Sequence, residues 1–131
     1  MQIGQLKSEP CEPTELIGLV QSGIARLDDA KRSSNSLESR FDLAYNASHA
    51  LALAALRWHG YRASNRYIVF QALVHTVGLS NAKWRVLSDA HNKRNRAEYE
   101  GKVEIEASLV DAMIRIADEV ADAVKKFVTI P

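Results

Sequence analysis

An all-α fold, a single five-helix up-and-down bundle, follows from three features of this chain. Apolar residues recur three and four apart along most of its length, no segment alternates convincingly with the period of a strand, and glycines or prolines punctuate the periodic stretches at short intervals. The chain has 131 residues, 47% of them hydrophobic and 25% charged, which suits one domain with a real but thin core. A thin core makes a homodimer the natural expectation.

The organisation reads in order from the N-terminus. Residues 1–13 contain Gly4, Pro10 and Pro13 and are expected to form a flexible arm, leaving 14–131 as the single helical domain. Thr14 is a good N-cap for a first helix, in which Leu16, Val20, Ile24 and Leu27 share a face up to about Lys31. After the polar stretch Arg32 to Ser36, Asn35 and Glu38 have the spacing of a capping box. The second helix then carries Leu37, Phe41, Ala44, Ser48, Leu51, Ala55 and Trp58 on one seam, and Gly60 ends it. Its other faces between Tyr45 and Trp58 are mostly Ala and Leu, so it should be the central helix, with neighbours on several sides. Tyr67, Phe70, Val74 and Val77 predict a third helix, capped by Ser64 and stopped by Gly78. A fourth starts near Ser80 or Asn81 and ends before Gly101. The fifth places Leu109, Met113, Ile116, Val120, Ala123 and Phe127 on a regular seam and closes at Pro131.

A net charge of +1 hides a strong segregation. No acidic residue lies between Asp42 and Asp89, whereas the segment from Val103 onward is acidic on balance. That asymmetry either pairs one helix with another or leaves a basic face for phosphates. Cys11 is the single cysteine, which excludes an internal disulfide and fits a reducing, cytoplasmic setting. The longest apolar run, Ala50 to Leu56, is far short of the roughly 20 residues of a membrane span. The four histidines are spread over three helices with no Glu three residues before any of them, so neither a metal site nor a cofactor is expected.

The chemistry concentrates in the fourth helix, in His91 to Gly101, where an apolar segment turns polar and basic. Two stripes run through Leu87, one by Trp84, His91, Arg94 and Glu98 and the other by Ala90, Arg94, Ala97 and Gly101. Arg94 lies in both. A charge continuing an apolar seam must be paired, for which Glu98 is in place one turn on, or must face a cleft where it meets an anionic ligand. On the second helix, Ser48 interrupts the seam and His49 adjoins it among alanines. Ser48 either bonds a carbonyl one turn back or joins the Arg94 cleft, and His49 is either a satisfied core histidine or a member of the same cleft. Arg57, Trp58, Tyr61, Arg62, Arg66 and Tyr67 form a basic and aromatic cluster that either anchors a turn or contacts RNA.

The pair Arg94-Asn95 followed by Tyr99, on a late helix of a five-helix chain, resembles the signature of HEPN domains, an Arg often followed by Asn with a His four to six residues later. The segment Asp42-Leu43-Ala44-Tyr45-Asn46-Ala47-Ser48-His49-Ala50 is similar to the corresponding HEPN helix, and the resemblance extends from about Asn35 to Phe127. It implies a dimer whose Arg-bearing motifs share a cleft, and either a metal-independent endoribonuclease, in some cases a toxin restrained by a nucleotidyltransferase-like partner, or a non-catalytic binding module. By the same resemblance Arg94 would contact phosphate and Asn95 would orient it. No histidine follows Arg94, and Tyr99 stands where the motif histidine could fall. A phenol titrating at about 10 is a poor base at neutral pH beside an imidazole at about 6.5. His91, three residues before Arg94 on the same face, is the other candidate for proton transfer. The expected site is thus Arg94, Asn95, Tyr99 and His91, with Glu98, Ser48, His49, Arg62 and Arg66 as binding candidates. The alternative is a non-catalytic interaction or nucleotide-binding module.

Overall fold

Along the chain run β1 (Leu6–Ser8), α1 (Pro13–Ala30), α2 (Leu37–Trp58), β2 (Tyr61–Ala63), α3 (Arg66–Gln71), α4 (Leu73–Thr76), α5 (Asn81–Glu100) and α6 (Ala107–Lys125). The computed structural model describes residues 6–101, 104–126 and 128. The fold is all-α, a helical bundle with one small two-stranded sheet. No helix among the described residues is long and apolar enough to cross a membrane.

α2 is the centre because its sequence leaves it no polar face along its middle. Phe41, Ala44, Ser48, Leu51 and Ala55 of the expected seam are buried, and so are Tyr45, Ala47, Ala52, Ala54 and Leu56 on other faces. α1, α6, α3, α4 and α5 all pack on it. Against α1 the approach is close enough that a Cβ on Gly23 would meet Leu51 Cγ at 2.7 Å. α6 lays Met113, Ile116 and Val120 against the core as its spacing predicts, and Phe127 and Pro131 lie outside the described residues. The seam of α2 stops one turn early, for Trp58 is 47% exposed.

Several boundaries shift by one residue toward the better cap. Ser36, not Asn35, accepts the Ser39 N–H at 3.1 Å, while the Asn35 side chain donates to the Asp29 carbonyl and braces the turn. Asn65, not Ser64, accepts the Ile68 N–H at 3.0 Å. α1 begins at Pro13 rather than after a Thr14 cap, proline being suited to a first turn whose N–H groups have no helical partner. The expected third helix is divided at Ala72 into α3 and α4, and its buried face runs through Ile68, Val69, Phe70, Leu73 and Thr76 rather than through Tyr67 and Val77. Gly60, Gly78 and Gly101 end their helices with positive φ, as the sequence suggests.

The largest departure concerns the segment before α1. Part of the expected arm is paired: Leu6, Lys7 and Ser8 lie opposite Ala63, Arg62 and Tyr61. What fixes it is Arg57, 1% exposed near the end of α2. Its Nε donates to Glu15 Oε1 at 3.1 Å, Nη1 to the carbonyls of Glu9 and Tyr61 at 2.9 and 3.1 Å, and Nη2 to the Pro10 carbonyl at 2.9 Å and Glu15 Oε2 at 3.4 Å. A guanidinium has five N–H donors, and all five are satisfied. Hydrogen bonding from Arg57 holds the Glu15 carboxyl below the usual carboxylate range. Breaking such a buried pair costs about 3–5 kcal/mol because the remaining groups stay behind unpaired. Arg57→Met should therefore lower unfolding free energy by about 3 kcal/mol in urea titrations, and amide exchange should accelerate at residues 6–8 and 61–63. Unchanged stability and exchange would remove Arg57 from this role.

Candidate functional site

Ala90 is the last buried residue of α5. Beyond it the helix separates from the core, and the polar residues His91 and Arg94 face Tyr45 of α2, with the exposed Asn95 one turn after His91. Tyr45 is 1% exposed, and a phenol that deeply buried needs a partner for its hydroxyl. The partner is His91, whose Nδ1 lies 2.9 Å from the Tyr45 oxygen. On its other side His91 Nε2 lies 3.2 Å from the Asn95 side-chain nitrogen. His91 thus bridges the Tyr45 hydroxyl and the Asn95 side-chain amide, one on each ring nitrogen.

Two guanidiniums approach the same tyrosine ring. The Arg94 Cζ lies 5.0 Å from the Tyr45 centroid and that of Arg66 lies 5.6 Å from it, both within cation–π range. Arg66 reaches the ring from the first turn of α3, four residues before Phe70, which meets Tyr45 edge-on at 5.8 Å. His49, one turn after Tyr45 on α2, meets Phe70 edge-on at 5.9 Å. Four basic side chains from three helices thus surround Tyr45 and Phe70. Burial first, then the charges of Arg66 and Arg94, depress the His91 pKa. His49 is pushed down to about 4 by burial first and then by Arg66, His91 and Arg94. Both imidazoles are therefore neutral at pH 7 and weaker bases than a free histidine.

The remaining expected residues divide. Arg94 also pairs with Glu98 at 3.3 Å, as the one-turn spacing suggests, and it lines a 260 Å³ cavity with Glu38, Phe41, Asp42 and Ile105. Its side chain is 31% exposed, so the Glu98 pair is open to solvent and weak. Ser48 donates to the Ala44 carbonyl at 2.8 Å, which commits its hydroxyl hydrogen to its own helix. Tyr99 is 95% exposed and stands outside the cluster. Arg62 is also outside it, since Glu9 and Glu15 hold its guanidinium. Of the basic and aromatic residues around the α2–α3 turn, Arg57 and Arg62 anchor the chain, Tyr67 packs edge-on with Trp84 at 5.7 Å, and only Arg66 joins the site. The segregated charge is partly spent on pairing, with Lys83 bonded to Glu119 of α6. Among the described residues no group of three or more His, Cys, Asp or Glu side chains is placed to hold a metal.

Sequence reading missed Tyr45 and understated Arg66 and His49. The signal was present in their spacing: Arg66 stands one turn before the apolar Phe70, and His49 one turn after Tyr45, so each shares a face with a buried ring. Fold and side chains together define a helical protein with a cationic site built on a buried tyrosine. Neither a protein-family model nor a curated protein matches the chain.

The depressed imidazoles carry a consequence for pH. Unfolded histidine titrates at about 6.5, and His49 in the fold titrates at about 4, so the unfolded chain binds the proton first as pH falls. Stability is unaffected above about 6.5 and declines from there toward about 4. Urea titrations at pH 7.5 and 5.0 should differ by about 2 kcal/mol, and His49→Gln should remove most of that difference. The carboxylates Glu9 and Glu15, held low by Arg62 and Arg57, begin to lose their contribution only near 4.5, at the acid end of this window and below the pH 5.0 measurement. An equal pH dependence in His49→Gln would contradict the assignment.

Proposed function

We propose that this chain is a HEPN-like, RNA-associated protein that grips an RNA phosphate with Arg94 and uses His91 as the proton acceptor in metal-independent cleavage. The observation that supports it is the trio on one edge of α5: Arg94 over the Tyr45 ring, His91 bonded through Nδ1 to the Tyr45 hydroxyl, and Asn95 bonded to His91 Nε2. When a ribose displaces the Asn95 amide, His91 Nε2 takes the proton of the 2′-hydroxyl. The 2′-oxygen bonds to phosphorus, the 5′-oxygen leaves with a proton from water, and the products carry a 2′,3′-cyclic phosphate and a 5′-hydroxyl. Arg94 meets the charge that grows on the phosphoryl oxygens in that step, the kind of contact that contributes most to catalysis of this type. The role assigned to Tyr99 by motif spacing passes to His91 in this reading. A homodimer with the two Arg94 residues at one cleft, and a nucleotidyltransferase-like partner, belong to the same proposal through the HEPN resemblance.

One observation favours a second reading, in which the protein binds without cutting. Tyr99, at the motif position, is an almost fully exposed aromatic ring in the last turn of α5, suited to stacking on a base or to a protein contact. The two readings separate in one assay. Purified protein incubated with varied RNAs and a chelator should cleave them slowly, leaving 2′,3′-cyclic ends. Arg94→Ala and His91→Gln should each reduce that rate about 100-fold or more while the helical signal is retained. Intact RNA after prolonged incubation, with binding retained, would leave the binding module as the function.

A further inference from the structure

Arg57 and Arg66 stand nine residues apart in sequence and are treated oppositely by the fold. Every N–H of Arg57 has an acceptor. Arg66 Nη1 is shut away from solvent with no hydrogen-bond partner, and no carboxylate among the described residues lies within 4.0 Å of its guanidinium. A buried charged donor without an acceptor is costly, and native structures retain such groups where something else supplies the acceptor. What surrounds Arg66 narrows the choice. Arg94 lies over the same Tyr45 ring, and His49 and His91 feel the charges of both arginines. Among the described residues Glu98 is the carboxylate paired with any of the four, and it is mostly exposed and pairs with Arg94, beside which Glu38 and Asp42 line the cavity, so Arg66 is the guanidinium left without a carboxylate. A planar fork without its own counter-charge is the recognition chemistry of an oxyanion.

We infer that Arg66 is the anchor of a phosphate-binding subsite, in which its part-exposed guanidinium turns to present the unpartnered Nη1 to a phosphate oxygen with His91 and Arg94 alongside. This deepens the preceding reading by giving the ligand a contact on α3 that the α5 motif does not contain. It does not need cleavage, and it does not need the phosphate to belong to RNA. His49, edge-on to Phe70, is neutral and so adds no positive charge beside Arg66. Phosphate is the shared chemistry, and its two sources, a free anion and a polynucleotide backbone, are separated by the test.

Wild type, Arg66→Gln and Arg66→Lys are compared in two arms after circular dichroism has confirmed their folds. In the first, thermal stability is followed with inorganic phosphate against sodium chloride of equal ionic strength. In the second, affinity for a single-stranded RNA oligomer is measured across a salt series. Phosphate should raise the melting temperature of wild type and not that of Arg66→Gln. Arg66→Gln should weaken RNA binding about 10- to 100-fold and reduce the slope of log K against log salt by about 0.7, the loss of one phosphate contact to a single strand. Arg66→Lys, which keeps the charge and loses the fork, should fall between the two and serves as the reporter should Arg66→Gln not fold. An Arg66-dependent response to inorganic phosphate in a protein that binds no RNA would uphold the subsite and remove the RNA reading. RNA binding by wild type whose affinity and salt slope survive in the Arg66 variants, with no stabilisation by phosphate, would overturn the subsite and leave the RNA reading standing.

Discussion

Burial of α2 on most of its faces is the constraint from which the rest follows, because each polar group it carries into the core must find a partner. Ser48 solves this within its own backbone by donating to the Ala44 carbonyl. Arg57 solves it by drawing the chain before α1 onto the end of α2, where three carbonyls and Glu15 receive its donors. Tyr45 solves it by bonding His91 on α5. The first solution is local and functionally silent. The second organises an end of the molecule, and the third organises the site.

The Tyr45 solution has electrostatic consequences that its hydrogen bond alone does not convey. A buried aromatic face attracts cations, and here it attracts two. Burial first, and then the two guanidiniums brought to the ring, suppress protonation of the imidazoles beside them, since a charge there would be both desolvated and placed near those already present. The cluster is thus a compromise in which burial and charge keep the histidines neutral and one guanidinium nitrogen lacks an acceptor. In the phosphate subsite proposed above, an anion would relieve both conditions together.

Much of the architecture was legible in the residues because it rests on short-range chemistry. The 3.6-residue period gave the helices, positive-φ glycines ended them where expected, and the apolar-to-polar change in α5 placed the exit from the core at Ala90. Arg94 was legible for the same reason, being a charge in a seam. Helix starts moved by a residue because Ser and Asn neighbours compete as caps and only the tertiary position of the turn chooses between Ser36 and Asn35, or Asn65 and Ser64. The pairing of β1 with β2 joins two three-residue strands more than fifty residues apart, too short to show a period and held by an arginine whose acceptors are mostly backbone. The separation of Arg57, Arg62 and Arg66 into two anchors and one site residue lay beyond the sequence for a similar reason. Identical side chains in one basic cluster acquire different roles according to which acceptors the fold brings within reach.

The central claim is that Tyr45 assembles residues from α2, α3 and α5 into one receptor for phosphate. Nitrogen-15 NMR of the arginine and histidine side chains, recorded while inorganic phosphate is titrated into the folded protein, tests it most directly. The account predicts that the side-chain resonances of Arg66, Arg94 and His91 shift together along a single binding curve, with the Arg57 resonance unmoved. Shifts confined to Arg94, or none at any of the three at phosphate concentrations that leave Arg57 unchanged, would contradict it.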